Sequence, residues 1–194
     1  MNNREVSELS YKEWVLYKKK NTSLLLNSYP NYNFEIRFEI MKNVKNVVEE
    51  EGVTLYLSNG TLLGAVRQKD FIPWDKDVDM DVLAEELELK YKTIKSKLIQ
   101  LGYIVRGVED YPRMKINVYH GGEKVGILAL YLKDQIRYRG PYKWPKNFYE
   151  DAEKIDFKGI TFKAPKIDQY LIHQYGKNWK TPLKENYFSK DLFR

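Results

Sequence analysis

At 194 residues the chain has the length of one ordinary domain with a sizeable core, and residues 1–194 read as a single unit because no linker divides them. A formal charge of +6 suits an anionic partner such as a nucleotide, a phosphorylated glycan or an acidic membrane surface, and with no aromatic-basic RNA motif or recognition helix the expectation is no nucleic acid. The absence of cysteine excludes disulfides and cysteine-ligated zinc, no run approaches the roughly 18 apolar residues of a membrane span, and the start of the chain lacks an apolar leader, so a cytoplasmic location is expected.

In chain order, residues 7–20 read as a helix ending in Lys18-Lys19-Lys20. Cations there complement the helix dipole, and attachment to the inner face of a membrane is the lesser reading of the run. A turn surrounds Pro30. Residues 34–51 form a second helix, with Phe34, Phe38, Met41, Val44 and Val48 at helical spacing and Gly52 as its stop. Residues 53–57 are an apolar, β-branched and aromatic run, hence a strand. Ser58-Asn59-Gly60-Thr61 then turns into a short helix carrying Leu62, Leu63 and Val66. A glycine turn opening a helix presents free N–H groups and the positive dipole end, which together suit a phosphate. Pro73-Trp74 sets the approach to an acidic strand, with Trp74 read as packing.

That strand carries acids at every second position. Side chains at i and i+2 of a strand share a face, roughly 6–7 Å apart. Asp75, Asp77, Asp79 and Asp81 are therefore expected on one face, with Val78, Met80 and Val82 on the other. Carboxylates so close repel unless a cation sits between them, and their hard oxygens point to Mg²⁺ or Mn²⁺. The alternative is a solvated edge-strand face whose charges deter edge pairing.

Residues 84–101 read as a helix with a stripe of Leu87, Tyr91, Ile94, Leu98 and Leu101, stopped by Gly102. Three strands come next at residues 103–108, 114–119 and 124–132, the last two joined through His120-Gly121-Gly122. Residues 138–149, rich in Pro, Tyr and Trp, read as a loop over the site. Residues 155–162 form a small hairpin with Lys158-Gly159 at its tip, and Pro165 opens a helix through Tyr175 capped by Gly176. His120 and His173 have no evident catalytic partner, and neither a Gly-x-Ser-x-Gly elbow nor a Walker loop is present.

Gly60-Thr61 followed by Asp77-Val78-Asp79 resembles the signature of the nucleotidyltransferase fold, the polymerase-beta superfamily. The longer string GTLLGAVRQKDFIPWDKDVDMDV is similar to the hallmark of the LicD family, which includes phosphocholine transferases and, more distantly, fukutin and fukutin-related protein. YGKNWKTP near the end resembles that family's closing YGxxW segment. The resemblance implies an α+β fold with helices packed on a mixed sheet. It also implies metal-dependent transfer of a phospho-alcohol group, phosphocholine or a polyol phosphate, from a CDP-linked donor to a hydroxyl of a glycan or lipid-linked glycan, releasing CMP. On this reading Asp77 and Asp79 hold the metal, Gly60 and Thr61 cradle the donor phosphate, and Arg67 reaches the phosphate or pairs with an aspartate. Asp75 and Asp81 support the ligands or take the acceptor hydroxyl's proton.

The family pattern also implies a third carboxylate on a neighbouring strand, where the best match, Leu128-Ala129-Leu130-Tyr131, has Ala129 in its place. Either this chain is inactivated at Ala129, in which case Ala129→Asp raises turnover, or Glu123 or Asp134 takes the role. The competing functions are a nucleotidyltransferase that uses an NTP and a catalytically silent nucleotide- or glycan-binding domain.

Overall fold

Asn33 starts the first described helix, because its side-chain oxygen accepts the backbone N–H groups of Glu35 and Ile36, each at 3.1 Å. The computed structural model describes residues 32–73 and 75–181, so the expected helix over 7–20, the turn at Pro30, the packing of Trp74 and the tail from Pro182 lie outside the described residues. Helix α1, Phe34–Glu50, buries Met41, Val44 and Val48 of the expected stripe and also Ile40 and Val47, whereas Phe34 and Phe38 are half-buried against the core. It also buries Arg37 completely, which its charge would not suggest.

Arg37 is accommodated because each nitrogen of its guanidinium donates a hydrogen bond and its charge is paired with Glu123. Its Nε and Nη2 donate to Glu123 Oε2 at 2.8 and 2.6 Å, Nη1 donates to the Asp75 carbonyl at 3.0 Å, and the ring of Tyr32 lies 4.6 Å away. Glu123 Oε1 in turn accepts the Asn33 N–H at 2.6 Å. Glu123 is thereby committed to holding α1 against the sheet and is not the third carboxylate. Removing one partner of such a pair strands the other charge in the interior, so Arg37→Met should lower stability in urea unfolding by about 3–5 kcal/mol. Adding Glu123→Gln to that variant should recover part of the loss.

Strand β1 is short, Tyr56–Leu57, although Val53 and Leu55 before it are also buried. Helix α2, Asn59–Gln68, follows at once. Strand β2, Val78–Leu83, lies at the centre of the sheet, and helix α3, Ala84–Gln100, leaves directly from its end. Strands β3, Ile104–Val108, β4, Lys115–His120, and β5, Glu123–Lys133, form the expected antiparallel run.

The stretch expected as a loop over 138–149 is instead ordered. Strands β6, Ile136–Arg139, and β7, Tyr142–Pro145, pair around Gly140-Pro141, and a turn of helix α4, Asn147–Glu150, comes next. Prolines argue against a central strand, but an edge hairpin accepts them at its turn and its last position. Strands β8, Glu153–Phe157, and β9, Ile160–Ala164, make the expected small hairpin, and helix α5, Ile167–Tyr175, stops at Gly176 with φ +84°.

The strands run in the order β3-β4-β5-β2-β1-β9-β8, with β6 and β7 continuing from β5. The sheet is mixed: β2 is parallel to β5 and β1 parallel to β9, and the other pairs are antiparallel. Val78, Met80 and Val82 are fully buried in one apolar cluster with residues of α1 and α3. Asp79 and Asp81 occupy the other face of the same strand, and that parity positions the site.

Candidate active site

On the polar face of β2 a cavity of about 280 Å³ is lined by Asn59 and Gly60 of α2, by Asp75, Asp77 and Asp79, by Arg139, Tyr142 and Trp144 of the β6–β7 hairpin, and by Gln174 and Tyr175 of α5. Asp75 and Asp77 precede β2, so strand alternation does not align them with Asp79. Tethering does. The Asp75 carbonyl is held by Arg37 and its N–H donates to the Ile72 carbonyl at 3.0 Å. Gly60 makes room: a Cβ there would stand 1.9 Å from Asp75 Oδ2, so any other residue would displace that carboxylate.

Asp79 is gripped at both ends. Its N–H donates to Thr61 Oγ1 at 3.0 Å, and its Oδ2 accepts from Asn59 Nδ2 at 3.2 Å. Asn59, in the left-handed region with φ +48°, is fixed by α5. Its Oδ1 accepts from Tyr170 at 3.3 Å and from Gln174 Nε2 at 3.0 Å, and Gln174 Oε1 accepts the Trp144 indole N–H at 3.1 Å. Tyr170 and Gln174 meet one partner because residues four apart share a helix face.

The electrostatics are those of anions short of cations. Burial, then repulsion from Asp77 and Asp79, pushes Asp75 up to about 7. Burial and Asp77 push Asp79 up to about 6, with Lys124 and Arg139 pulling the other way. Lys124, at the start of β5, forms an ion pair with Asp77. Burial opposes its charge, but Asp77 and Asp79 outweigh burial and raise its pKa. One ammonium thus faces a group of three carboxylates.

Several expected residues take other positions. Asp81 is fully buried outside the cavity lining, with Oδ1 accepting from Arg139 Nη1 at 2.7 Å and Oδ2 from the Tyr149 hydroxyl at 2.9 Å. It anchors the hairpin that roofs the cavity, with both oxygens engaged away from the cavity lining. Thr61 is buried beneath Asp79, so of the Gly-Thr pair only Gly60 lines the cavity. Arg67, in the last turn of α2, does not line it either, and its Nε is buried without a hydrogen-bond partner among the described residues.

Ala129 requires the largest correction. In the parallel pairing of β2 and β5, Val82 faces Ala129 while Asp79 faces Gly126. Directly opposed residues point to the same side, so Ala129 joins Val82 in the apolar core, 1% exposed. Its side chain says nothing about catalysis. The positions of β5 on the carboxylate side nearest Asp79 are Lys124 and Gly126, with Leu128 beside Asp81, and Asp134 stands exposed at the β5–β6 turn. His120 packs edge-on against Tyr103 and His173 bonds the Lys143 carbonyl at 2.7 Å, both away from the cavity lining.

Sequence reasoning missed Asn59, Lys124, Arg139, Tyr170 and Gln174. A glutamine at the apolar spacing of the last helix was a signal for one of them. Nothing local marks the rest.

Among the described residues no three His, Cys, Asp or Glu side chains form a closed metal-ligand set. Mg²⁺ does not require one. It is commonly held by one or two carboxylates and completes its octahedron with water and phosphate oxygens. Asp77 and Asp79, already in the field of Lys124, are two carboxylates of the cavity that could hold it in this way.

A family model described as LicD/FKTN/FKRP, nucleotidyltransferase domain, matches residues 52–167. An uncharacterized protein of Rickettsia prowazekii is 28% identical over 136 residues, covering 67% of this chain and 48% of that protein. The human protein named ribitol 5-phosphate transferase FKRP is 26% identical over 181 residues, covering 79% of this chain and 36% of that protein. The chain thus spans about half or less of these relatives. The solution structure of the antibiotic-resistance factor ANT(2'')-Ia superposes with a TM-score of 0.50 at 12% identity, covering 69% of this chain and 66% of that one, which is a likeness of fold.

Proposed function

The chain belongs to the LicD/FKTN/FKRP nucleotidyltransferase-domain family, and from that membership we propose that it transfers a phospho-alcohol group, a polyol phosphate or phosphocholine, from a CDP-linked donor to a hydroxyl of a glycan or lipid-linked glycan. The observation that carries the reading is the gathering of Asp75, Asp77 and Asp79 with Gly60 in one cavity under Arg139.

In the reaction the acceptor oxygen forms a bond to the phosphorus that bears the alcohol. The P–O bond to the second phosphate breaks, and CMP leaves with the bridging oxygen. Such transfers depend on positioning and charge neutralisation more than on covalent help. Bound Mg²⁺ would supply neutralisation of the donor phosphates, with Asp77 and Asp79 holding it. Asn59 and Thr61 keep Asp79 aimed, and the Lys124 ammonium offsets the repulsion between Asp77 and its neighbouring carboxylates. Asp75 is the carboxylate left over in the cavity and takes the acceptor's proton, Asp81 being fully engaged elsewhere.

Among the described residues no helix is long and apolar enough to cross a membrane. A lipid-linked acceptor would be met at the membrane's inner face, whose anionic surface a chain of charge +6 suits.

Incubation with CDP-ribitol, CDP-choline or CTP, with Mg²⁺ or with chelator, tests the reading. CMP should appear from a CDP-linked alcohol only with Mg²⁺. Pyrophosphate from CTP would instead make the chain a nucleotidyltransferase, and equal binding of CDP with and without chelator would remove the metal from the site.

A further inference from the structure

The cavity on the polar face of β2 holds three carboxylates, and among the described residues that line it the one cation is Arg139. The glycine turn expected to receive a phosphate supplies less than its sequence suggests. Thr61 does not line the cavity, and the Asn59 N–H at the start of α2 already donates to the Tyr170 hydroxyl at 3.2 Å. Arg139, by contrast, is mounted to face an anion. It stands opposite Tyr142 in the last pair before the β6–β7 turn. Its Nη1 donates to Asp81 Oδ1 at 2.7 Å, and its guanidinium carbon lies 5.4 Å from the centre of the Trp144 ring. Both supports are themselves fixed, since fully buried Asp81 also accepts from Tyr149 and fully buried Trp144 donates to Gln174. Nη1 is thus engaged, whereas Nε and Nη2 have no hydrogen-bond partner among the described residues, and the side chain remains 21% exposed.

Resting on the transfer reading above, we propose that Arg139 is the ligand of the donor diphosphate, gripping it through the fork of Nε and Nη2 while Asp81 fixes the guanidinium from the other side. The N–H groups of Nε and Nη2 lie side by side on one edge of the planar group, a spacing that matches two oxygens of a phosphate. A diphosphate entering beside Asp75, Asp77 and Asp79 meets repulsion, and the ammonium of Lys124 is already engaged with Asp77. Arg139 supplies a cation on the opposite wall. Its rigid mount matters too, because a guanidinium already held in place loses little side-chain freedom on binding and needs no reorganisation as charge shifts towards the leaving nucleotide. A chain of contacts joins this cation to a metal carboxylate: Arg139 lies against Trp144, Trp144 donates to Gln174, Gln174 donates to Asn59, and Asn59 donates to Asp79. The phosphate and the metal are received by one assembly, in which Asp81 acts through Arg139 as a positioning residue.

Amide shifts of the isotope-labelled full chain, titrated separately with CDP and with cytidine in the presence of Mg²⁺, provide the test. The double variant Arg139→Gln/Asp81→Asn removes both charges of the pair together, so its urea midpoint should stay near the parent's. It should bind CDP about 10- to 100-fold more weakly than the parent does, the range expected of hydrogen bonds to a charged group, and cytidine equally well. Arg139→Lys keeps Asp81 paired and the fold intact, but it loses the fork and should bind CDP at least about fivefold more weakly than the parent. The proposal is overturned if either variant binds CDP like the parent, or if the double variant loses affinity for CDP and cytidine in equal measure, which would make Arg139 a support for the shape of the cavity. A parent that itself binds CDP with Mg²⁺ no better than cytidine would sink the transfer reading, and this assignment with it, whereas a parent and a double variant that both prefer CDP to the same degree overturn the assignment alone.

Discussion

Asp79→Asn is expected to abolish Mn²⁺ binding in the presence of CDP and to lower CMP release by at least about 10²–10³-fold, the scale on which one preorganised electrostatic group contributes. The substitution is nearly isosteric, and the asparagine oxygen can still accept from Asn59, so the fold is left as it is. What disappears is a negative charge that burial and Asp77 already oppose. The metal-free variant should therefore be at least as heat-stable as the parent, because relief of repulsion among Asp75, Asp77 and Asp79 favours the folded chain. Loss of activity together with retained or raised Tm separates a missing ligand from a damaged fold. Unchanged Mn²⁺ affinity in the variant, read by calorimetry, would remove Asp79 from the ligand set.

Much of this arrangement was legible because it is local. The alternation through Val78, Met80 and Val82 assigned the buried face of β2, and the Gly-Thr turn placed α2 against it. The strands of β3 to β5 and the β8–β9 hairpin announced themselves through period-two patterning and turn residues. The parts that were misread depend on contacts distant in the sequence. Asp75 and Asp77 reach the cavity because their segment is held by Arg37, which is itself paired with Glu123, 86 residues beyond Arg37, and no periodicity encodes such a tether. Asn59 is fixed by Tyr170 and Gln174, more than 100 residues away. The β6–β7 hairpin was hidden by its own prolines, which exclude a central strand but not an edge pair. Arg37, charged and yet fully buried, shows the reverse case, in which a polar residue interrupts an apolar stripe because its partners lie on other elements.

The second large effect concerns Ala129→Asp, which a motif comparison alone would offer as a restoration of activity. The register argues otherwise. Ala129 is 1% exposed, its N–H donates to the Met114 carbonyl at 3.1 Å, and its neighbours on the same side of β5 are Val125 and Ile127, both fully buried. A carboxylate there faces the apolar core, out of reach of water. It must take up a proton, or enter the core charged at a cost of several kcal/mol. The variant should lose more than about 3 kcal/mol of stability, against a typical total of ~5–15 kcal/mol. A lower urea midpoint with no gain in Mn²⁺ affinity is the expected pair of observations. On the other face of β5 the strand offers only Gly126 and Lys124 near Asp79, and a Cβ on Gly126 would already stand 3.3 Å from Asp79 Oδ1 and 3.4 Å from Asn117 Oδ1. A third carboxylate has little room beside Asp79, and the ammonium of Lys124 holds the position next to Asp77. If Ala129→Asp instead unfolds at the parent's urea concentration and binds Mn²⁺ more tightly, β5 is shifted by one residue and the carboxylate face of the sheet must be redrawn.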